Sequence, residues 1–154
     1  MTGRLRDLGG SMLASFVAIL LIAAISPACA AGVTRVQQAD GSVRLYRDVR
    51  MNLRGETLWL VSADHQGALE IVNGACSFLG EIQRCYPTAV TLHQHGSSHP
   101  ITLDSGTVYL NLTRSPVRLR HSWRLLAPDN VLAAFHTTHG TFVTVQGHLD
   151  SVRR

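Results

Sequence analysis

The feature that most constrains the fold is an alternation of side-chain character over residues 43–53. One face carries the apolar side chains of Val43, Leu45, Val49, Met51 and Leu53. The other face carries Arg44, Tyr46, Asp48, Arg50 and Asn52. Because successive side chains of a strand point to opposite faces, this pattern predicts one long strand with a buried apolar face. Arg47 interrupts the alternation, so we expect a bend near that residue.

Turn signals recur along the rest of the chain, and no segment after residue 30 has helical periodicity. The predicted turns are Asp40-Gly41, Arg54-Gly55-Glu56, Gln66-Gly67, Asn73-Gly74, His95-Gly96-Ser97-Ser98, Ser105-Gly106 and Thr138-His139-Gly140. This spacing is typical of a single antiparallel all-β domain, a β-sandwich or a compact β-barrel, with about eight to ten short strands. We further expect Pro87 to open a strand, and the segment from Leu125 to Asn130 to form a loop or short helical turn.

Residues 1–30 have the three parts of a secretory signal peptide. The positive start, the apolar centre and the cleavage site are Arg4 with Arg6, residues 12–25 and Ala28-Cys29-Ala30. At the rise of a helix the apolar run spans about 21 Å, short of the roughly 30 Å hydrocarbon core of a bilayer. We therefore expect a signal helix cleaved before Ala31. Residues 31–154 would then be one exported domain, periplasmic or secreted, without a stable transmembrane span.

Two alternatives to a cleaved signal remain open. The segment could stay attached as an uncleaved membrane anchor. The chain could also be a lipoprotein acylated on Cys29, although Ser26 and Pro27 fit that motif poorly.

Cleavage of the signal leaves two cysteines, Cys76 and Cys85, and an even number in an exported chain predicts a disulfide. A continuous helix would hold these residues about 13 Å apart, too far to bond. The segment between them must therefore double back, and Gly80 is the natural turn residue. A redox-active pair normally has fewer intervening residues, so we predict a structural disulfide.

The charge balance gives no sign of a nucleic-acid partner. The chain has a formal net charge of +4, and all of its basic residues are arginines. So modest a surplus is consistent with solubility alone. The strand pattern places Arg44, Arg50 and Arg54 on one face beside Tyr46, and such a face would suit phosphates or carboxylates of an envelope glycan. An ordinary solvent-facing strand has the same composition.

Three histidines, His93, His95 and His99, form the one candidate metal cluster. If the alternation from Val90 continues to His95, then His93 and His95 project from the same face. His99 could fold back to complete a site for Zn²⁺ or Cu²⁺. No carboxylate or cysteine stands at an obvious ligand spacing, so a solvated loop tip is the alternative, and we assign no metal ligand.

The sequence contains no G-x-S-x-G, H-E-x-x-H or P-loop motif, and we predict no catalytic residue and no cofactor. Asn111-Leu112-Thr113 matches a glycosylation acceptor but carries no weight, because the signal segment does not identify the host. We predict a non-enzymatic exported protein that binds or supports a cell-envelope component or a partner protein. A small His-based metal-binding protein and an uncharacterised hydrolase are the alternatives.

Overall fold

The computed structural model describes residues 32–119 and 124–153, and all the regular structure there is β. The predicted signal segment, Cys29 and His121 lie outside these residues. No helix in the described part of the chain is long and apolar enough to cross a membrane. The strands are β1 Gly32–Gln37, β2 Val43–Arg54, β3 Thr57–Val61, β4 Gly67–Leu79, β5 Ile82–Gln94, β6 Ser97–Ile101, β7 Leu103–Asn111, β8 Val117–Arg118, β9 Leu125–Leu126, β10 Asn130–Thr137, β11 Phe142–His148 and β12 Ser151–Arg153.

Eight of these strands close into an antiparallel barrel. The order is β1-β11-β10-β7-β5-β4-β3-β2, and β2 pairs again with β1. The all-β prediction is therefore confirmed, and of the two predicted architectures the chain adopts the barrel. Strand β6 pairs with β5, β12 lies parallel to β2, and β8 and β9 form a separate ladder. The very short strands β8, β9 and β12 bring the number of strands above the predicted range. Leu125–Leu126 lies in β9 rather than in the predicted loop or helical turn, and the loop is confined to the residues between β9 and β10.

Apolar side chains fill the interior of the barrel. Its buried core consists of Val49, Met51, Leu53, Leu58, Leu60, Ile71, Cys85, Val90, Val108, Leu110, Val131, Ala133, Phe135, Val143, Val145 and Leu149. They alternate along their strands with more exposed residues, which is the period expected for a sheet with one buried face. The interior is thus a packed core, and the cleft described below lies at one end of the barrel.

The predicted buried face of the long strand β2 is confirmed in the second half of the strand and is wrong in the first half. Val49, Met51 and Leu53 are buried as predicted, and the expected bend is a β-bulge with Asp48 at a φ of 56°. Because a bulge inserts one residue into the strand, it reverses which side chains face inward. Leu45 is consequently exposed.

The same bulge divides the candidate arginine face, because it separates Arg44 and Tyr46 from Arg50 and Arg54. Tyr46 pairs with Thr34, so Arg44 and Tyr46 lie on the inward side of the sheet. Arg50 lies between the buried residues of the later half and points outward. Arg44 and Arg50 therefore lie on opposite faces.

Two predicted turns are continuous strand. Asn73-Gly74 lies inside β4, and Ser105-Gly106 lies inside β7. At both positions glycine allows a neighbouring side chain to pack against the backbone. A Cβ on Gly106 would lie 2.9 Å from the Cβ of Phe135, and a Cβ on Gly74 would overlap Thr88.

Pro87 likewise lies inside β5 instead of opening a strand. It pairs with Asn73 at an irregularity in the ladder, where a proline without an N–H group is tolerated.

Candidate functional site

One end of the barrel, which we call the mouth, opens into a cleft of about 740 Å³. The hairpin of β4 and β5 forms one wall, and the β2–β3 turn together with β12 forms the other. The buried lining residues, which make the floor, are Leu53, Asn73, Cys85 and Leu110. The more exposed lining residues are Gly55, Glu56, Gly74, Cys76, Phe78, Glu81, Gln83, Leu112, Thr113 and Arg153.

The predicted disulfide is present in the hairpin wall. Cys76 and Cys85 are directly paired across β4 and β5, with Cα atoms 4.1 Å apart, and are bonded to each other. Gly80, at a φ of 64°, lies in the turn between them as predicted. The neighbouring strand β3 pairs with β4 only as far as Val72. The disulfide therefore fixes a part of β4 that has a strand partner on one side alone.

Asn73 is the buried polar residue of the cleft. Its side chain points inward because it stands two residues after the buried Ile71, and only 1% of the residue is exposed. Its backbone N–H donates to the carbonyl oxygen of Glu56 at 3.0 Å. Its side-chain Nδ2 and Oδ1 atoms have no hydrogen-bond partner among the described residues. A buried polar group left without a partner costs roughly 1–3 kcal/mol, so such a group calls for an explanation.

Asn111, at the end of β7, is equally buried but fully bonded. Its Nδ2 donates to the carbonyl oxygens of Ser115 at 2.9 Å and Leu126 at 2.8 Å. Its Oδ1 accepts hydrogen bonds from the backbone N–H and the hydroxyl of Thr113, at 3.0 and 2.6 Å. The side chain thus ties the chain that follows β7 to β9. It also explains why the glycosylation pattern has no meaning in the folded domain, since the modifiable nitrogen is buried and occupied.

The charged residues of the cleft are at its rim. Glu56 and Glu81 carry carboxylates and Arg153 carries a guanidinium, which gives a formal charge of −1 where the whole chain has +4. All three are exposed. Phe78, which is 72% exposed, adds an apolar surface to the same rim. The cleft therefore combines an apolar surface, charge at the solvent edge and an unpaired amide at its floor.

The structure does not bring the three histidines of the candidate metal cluster together. His95 has a φ of 51° and lies with Gly96 in the turn between β5 and β6, so the strand alternation ends before it. His93 pairs with Ser98, whereas His99 pairs with Leu92, so His93 and His99 lie on opposite faces of the hairpin. No group of three or more His, Cys, Asp or Glu side chains within residues 32–119 and 124–153 is placed to hold a metal ion.

His93 instead joins a line of polar side chains on the outer face of the barrel. Its Nε2 lies 3.1 Å from Oε2 of Glu70, its Nδ1 lies 2.9 Å from Oγ of Ser98, and Trp59 stacks on the ring. A carboxylate, an imidazole and a hydroxyl in this order occur in nucleophilic hydrolases. Here none of the three lines the mouth cleft. The sequence did not predict this row of hydrogen-bonded side chains, because it forms only through the register of three different strands.

Comparison with protein-family models, with curated proteins and with solved structures found no match. The function of the cleft must therefore be argued from its own chemistry.

Proposed function

We propose that this chain is an exported, non-enzymatic binding protein that holds a cell-envelope component in the cleft at the mouth of the barrel. The observation that carries the proposal is Asn73, a residue that lines the cleft and whose buried side-chain amide has no partner among the described residues. Barrel mouths are common ligand sites, and a volume of about 740 Å³ falls within the usual range for small-molecule sites.

Export is supported by the signal-like segment of residues 1–30 and by the disulfide, which is stable in oxidising compartments. The test is the intact mass of protein recovered from the periplasm or the medium. We expect a chain that begins at Ala31 or within a residue or two of it. Exported protein that still begins at Met1 would contradict cleavage, and protein confined to the cytoplasm would contradict export.

The non-enzymatic part of the proposal is supported by the separation of Ser98 and His93 from the cleft. It is tested by assaying hydrolysis of p-nitrophenyl acetate by the wild-type protein and by Ser98→Ala. We expect no turnover above the rate given by free imidazole. Turnover that is lost in Ser98→Ala would make the chain a hydrolase and overturn this part of the proposal.

Binding is tested by NMR titration of isotope-labelled protein with a polar lipid extract and with soluble cell-wall fragments. We expect shifts confined to cleft residues such as Gly74 and Leu112. Phe78→Arg should abolish them, and because Phe78 is 72% exposed this change leaves the core intact. Tyr86→Arg is the matched control, since Tyr86 is exposed on the same hairpin but does not line the cleft. Titrations that leave every cleft resonance unmoved contradict the proposal.

A further inference from the structure

The side chain of Asn73 constrains what can lie at the floor of the cleft. A carboxamide presents an acceptor oxygen beside a donor nitrogen. Both atoms of Asn73 are buried and have no partner among the described residues. A group that satisfies both must itself carry a donor and an acceptor side by side. A carboxamide or a lactam meets this requirement, whereas an ether or an ester has no donor.

The charges around the cleft argue against an ionised group at the floor. The floor residues other than Asn73 are Leu53, Cys85 and Leu110, and none of them carries a charge. Arg153, the one cation among the lining residues, is exposed at the rim, which also carries two carboxylates. Burying a carboxylate or an ammonium without a countercharge is costly, so the group at the floor should be uncharged.

The rest of the cleft is shaped for an apolar body. Phe78 and Leu112 line it above the floor, and Phe78 is the most exposed large apolar side chain among the described residues. A ligand seated on Asn73 would cover this surface and remove it from water, which is favourable. The disulfide of Cys76 and Cys85 holds the wall that carries Phe78.

We propose that the cleft selects ligands with an uncharged amide at the buried end and an apolar body, and that Asn73 is the residue that recognises the amide. This inference rests on the proposed function and adds the chemical class of the ligand. Asn73 is then retained at a cost to the stability of the free protein, because its side chain is fully hydrogen-bonded only when a ligand or solvent occupies the floor.

The test compares three small probes by NMR titration of the wild-type protein: benzamide, N,N-dimethylbenzamide and benzoate. The first carries a donor and an acceptor, the second lacks the donor, and the third is ionised. We expect benzamide to bind about tenfold more tightly than either of the others, because a site built to hydrogen-bond a group rejects analogues that lack it. The shifts should map to the cleft.

Two variants complete the test. Asn73→Leu should lower benzamide binding to the level of N,N-dimethylbenzamide. Gln94→Leu removes an exposed amide at the opposite end of the barrel and should leave benzamide binding unchanged. The comparison of probes on the wild-type protein does not depend on either variant folding.

The outcomes separate this inference from the proposed function. The amide assignment is overturned if the three probes bind the wild-type protein equally tightly. It is also overturned if benzamide binds the wild-type protein and Asn73→Leu equally tightly. Neither result contradicts binding of envelope fractions in the cleft. Benzamide shifts that map outside the cleft also overturn it. A loss of cleft binding with the envelope fractions overturns the proposed function itself.

Discussion

The two buried asparagines at the mouth of the barrel show how differently the same residue can be used. Asn111 and Asn73 are 0% and 1% exposed, and both lie in strands of the barrel. Asn111 is followed by a turn whose backbone folds back onto its side chain, so all of its polar atoms are bonded. Asn73 lies in an irregular part of β4 with no such turn beside it. Equal burial therefore goes with opposite hydrogen-bonding states in these two residues, and our proposal concerns only the unpaired one.

The largest effect should come from the bonded asparagine. Asn111→Leu removes the side chain that holds the carbonyls of Ser115 and Leu126 and the N–H of Thr113, and leaves these groups without their partner. We expect the free energy of unfolding to fall by about 3 kcal/mol, since several buried groups lose their bonds together. Urea denaturation measures this. A decrease of less than about 1 kcal/mol would mean that solvent replaces these hydrogen bonds freely, and it would contradict the contrast between Asn111 and Asn73.

The wall beside Asn73 should be nearly as sensitive. Cys76→Ala opens the disulfide and frees a hairpin that has a strand partner on one side only in this part of β4. Loss of so small a covalent loop should lower the free energy of unfolding by about 2–4 kcal/mol. Thiol titration of the unfolded, unreduced wild-type protein provides the control, and we expect no free thiol. Two titrating thiols would contradict the pairing.

A polar network on the outer face should matter much less than Asn111 or the disulfide. Ser98→Ala removes the hydroxyl bonded to His93, and both residues are accessible to water. Because water can replace the lost partner, we expect the free energy of unfolding to change by less than about 1 kcal/mol. The measurement is the same urea denaturation. A decrease in the free energy of unfolding as large as that of Asn111→Leu would show that solvent exposure does not determine how much a lost hydrogen bond costs.

The smallest effect should come from the turns at the opposite end of the barrel. Hydrogen bonds donated by the hydroxyl and the backbone N–H of Ser42 lower the pKa of Asp40. The hydroxyl of Ser62 and the N–H of Gln66 lower the pKa of Asp64 in the same way. A lowered pKa means that these turns gain stability above the ordinary value of 3.8 and lose it as the pH falls through the lower folded value.

Carbon-detected NMR titration measures this last effect directly. We expect the Asp40 and Asp64 carboxyl groups to titrate with midpoints below 3.8. In Ser42→Ala the midpoint of Asp40 should rise, while that of Asp64 stays in place as the internal control. Midpoints at or above 3.8 in the wild-type protein would contradict the turn geometry.

The sequence predicted those parts of the fold that depend on local pattern. The alternation around Met51 predicted a buried face, and the spacing of Cys76 and Cys85 predicted a hairpin. Asn73-Gly74 and Ser105-Gly106 were assigned wrongly because a glycine looks the same in a turn as in a strand that passes close to another. A glycine in a strand differs from one in a turn by the residue that packs opposite it, as Phe135 does for Gly106. Strand pairing decides which residue lies opposite.

The candidate site could not be predicted from local sequence pattern for the same reason. The burial of Asn73 depends on the register of β4 against β5, and its unpaired amide depends on every strand around the mouth. The three histidines were an attractive local pattern, but the turn at His95 and the pairing of His99 with Leu92 separate them.

Whether the Asn73 amide is unpaired in the free protein is tested most directly by the free energy of unfolding of Asn73→Leu, measured without ligand beside Asn111→Leu. Leucine has the same branching and the same number of side-chain heavy atoms as asparagine, and the substitution removes two buried polar atoms that have no partner among the described residues. We predict a free energy of unfolding equal to that of the wild type or higher by up to about 3 kcal/mol, because the cost of burying an unpaired amide is removed and no hydrogen bond within the described chain is lost. A fall of about 2 kcal/mol or more, comparable to that of Asn111→Leu, would show that the Asn73 amide is already paired within the protein and would contradict its role as the recognition group of the cleft.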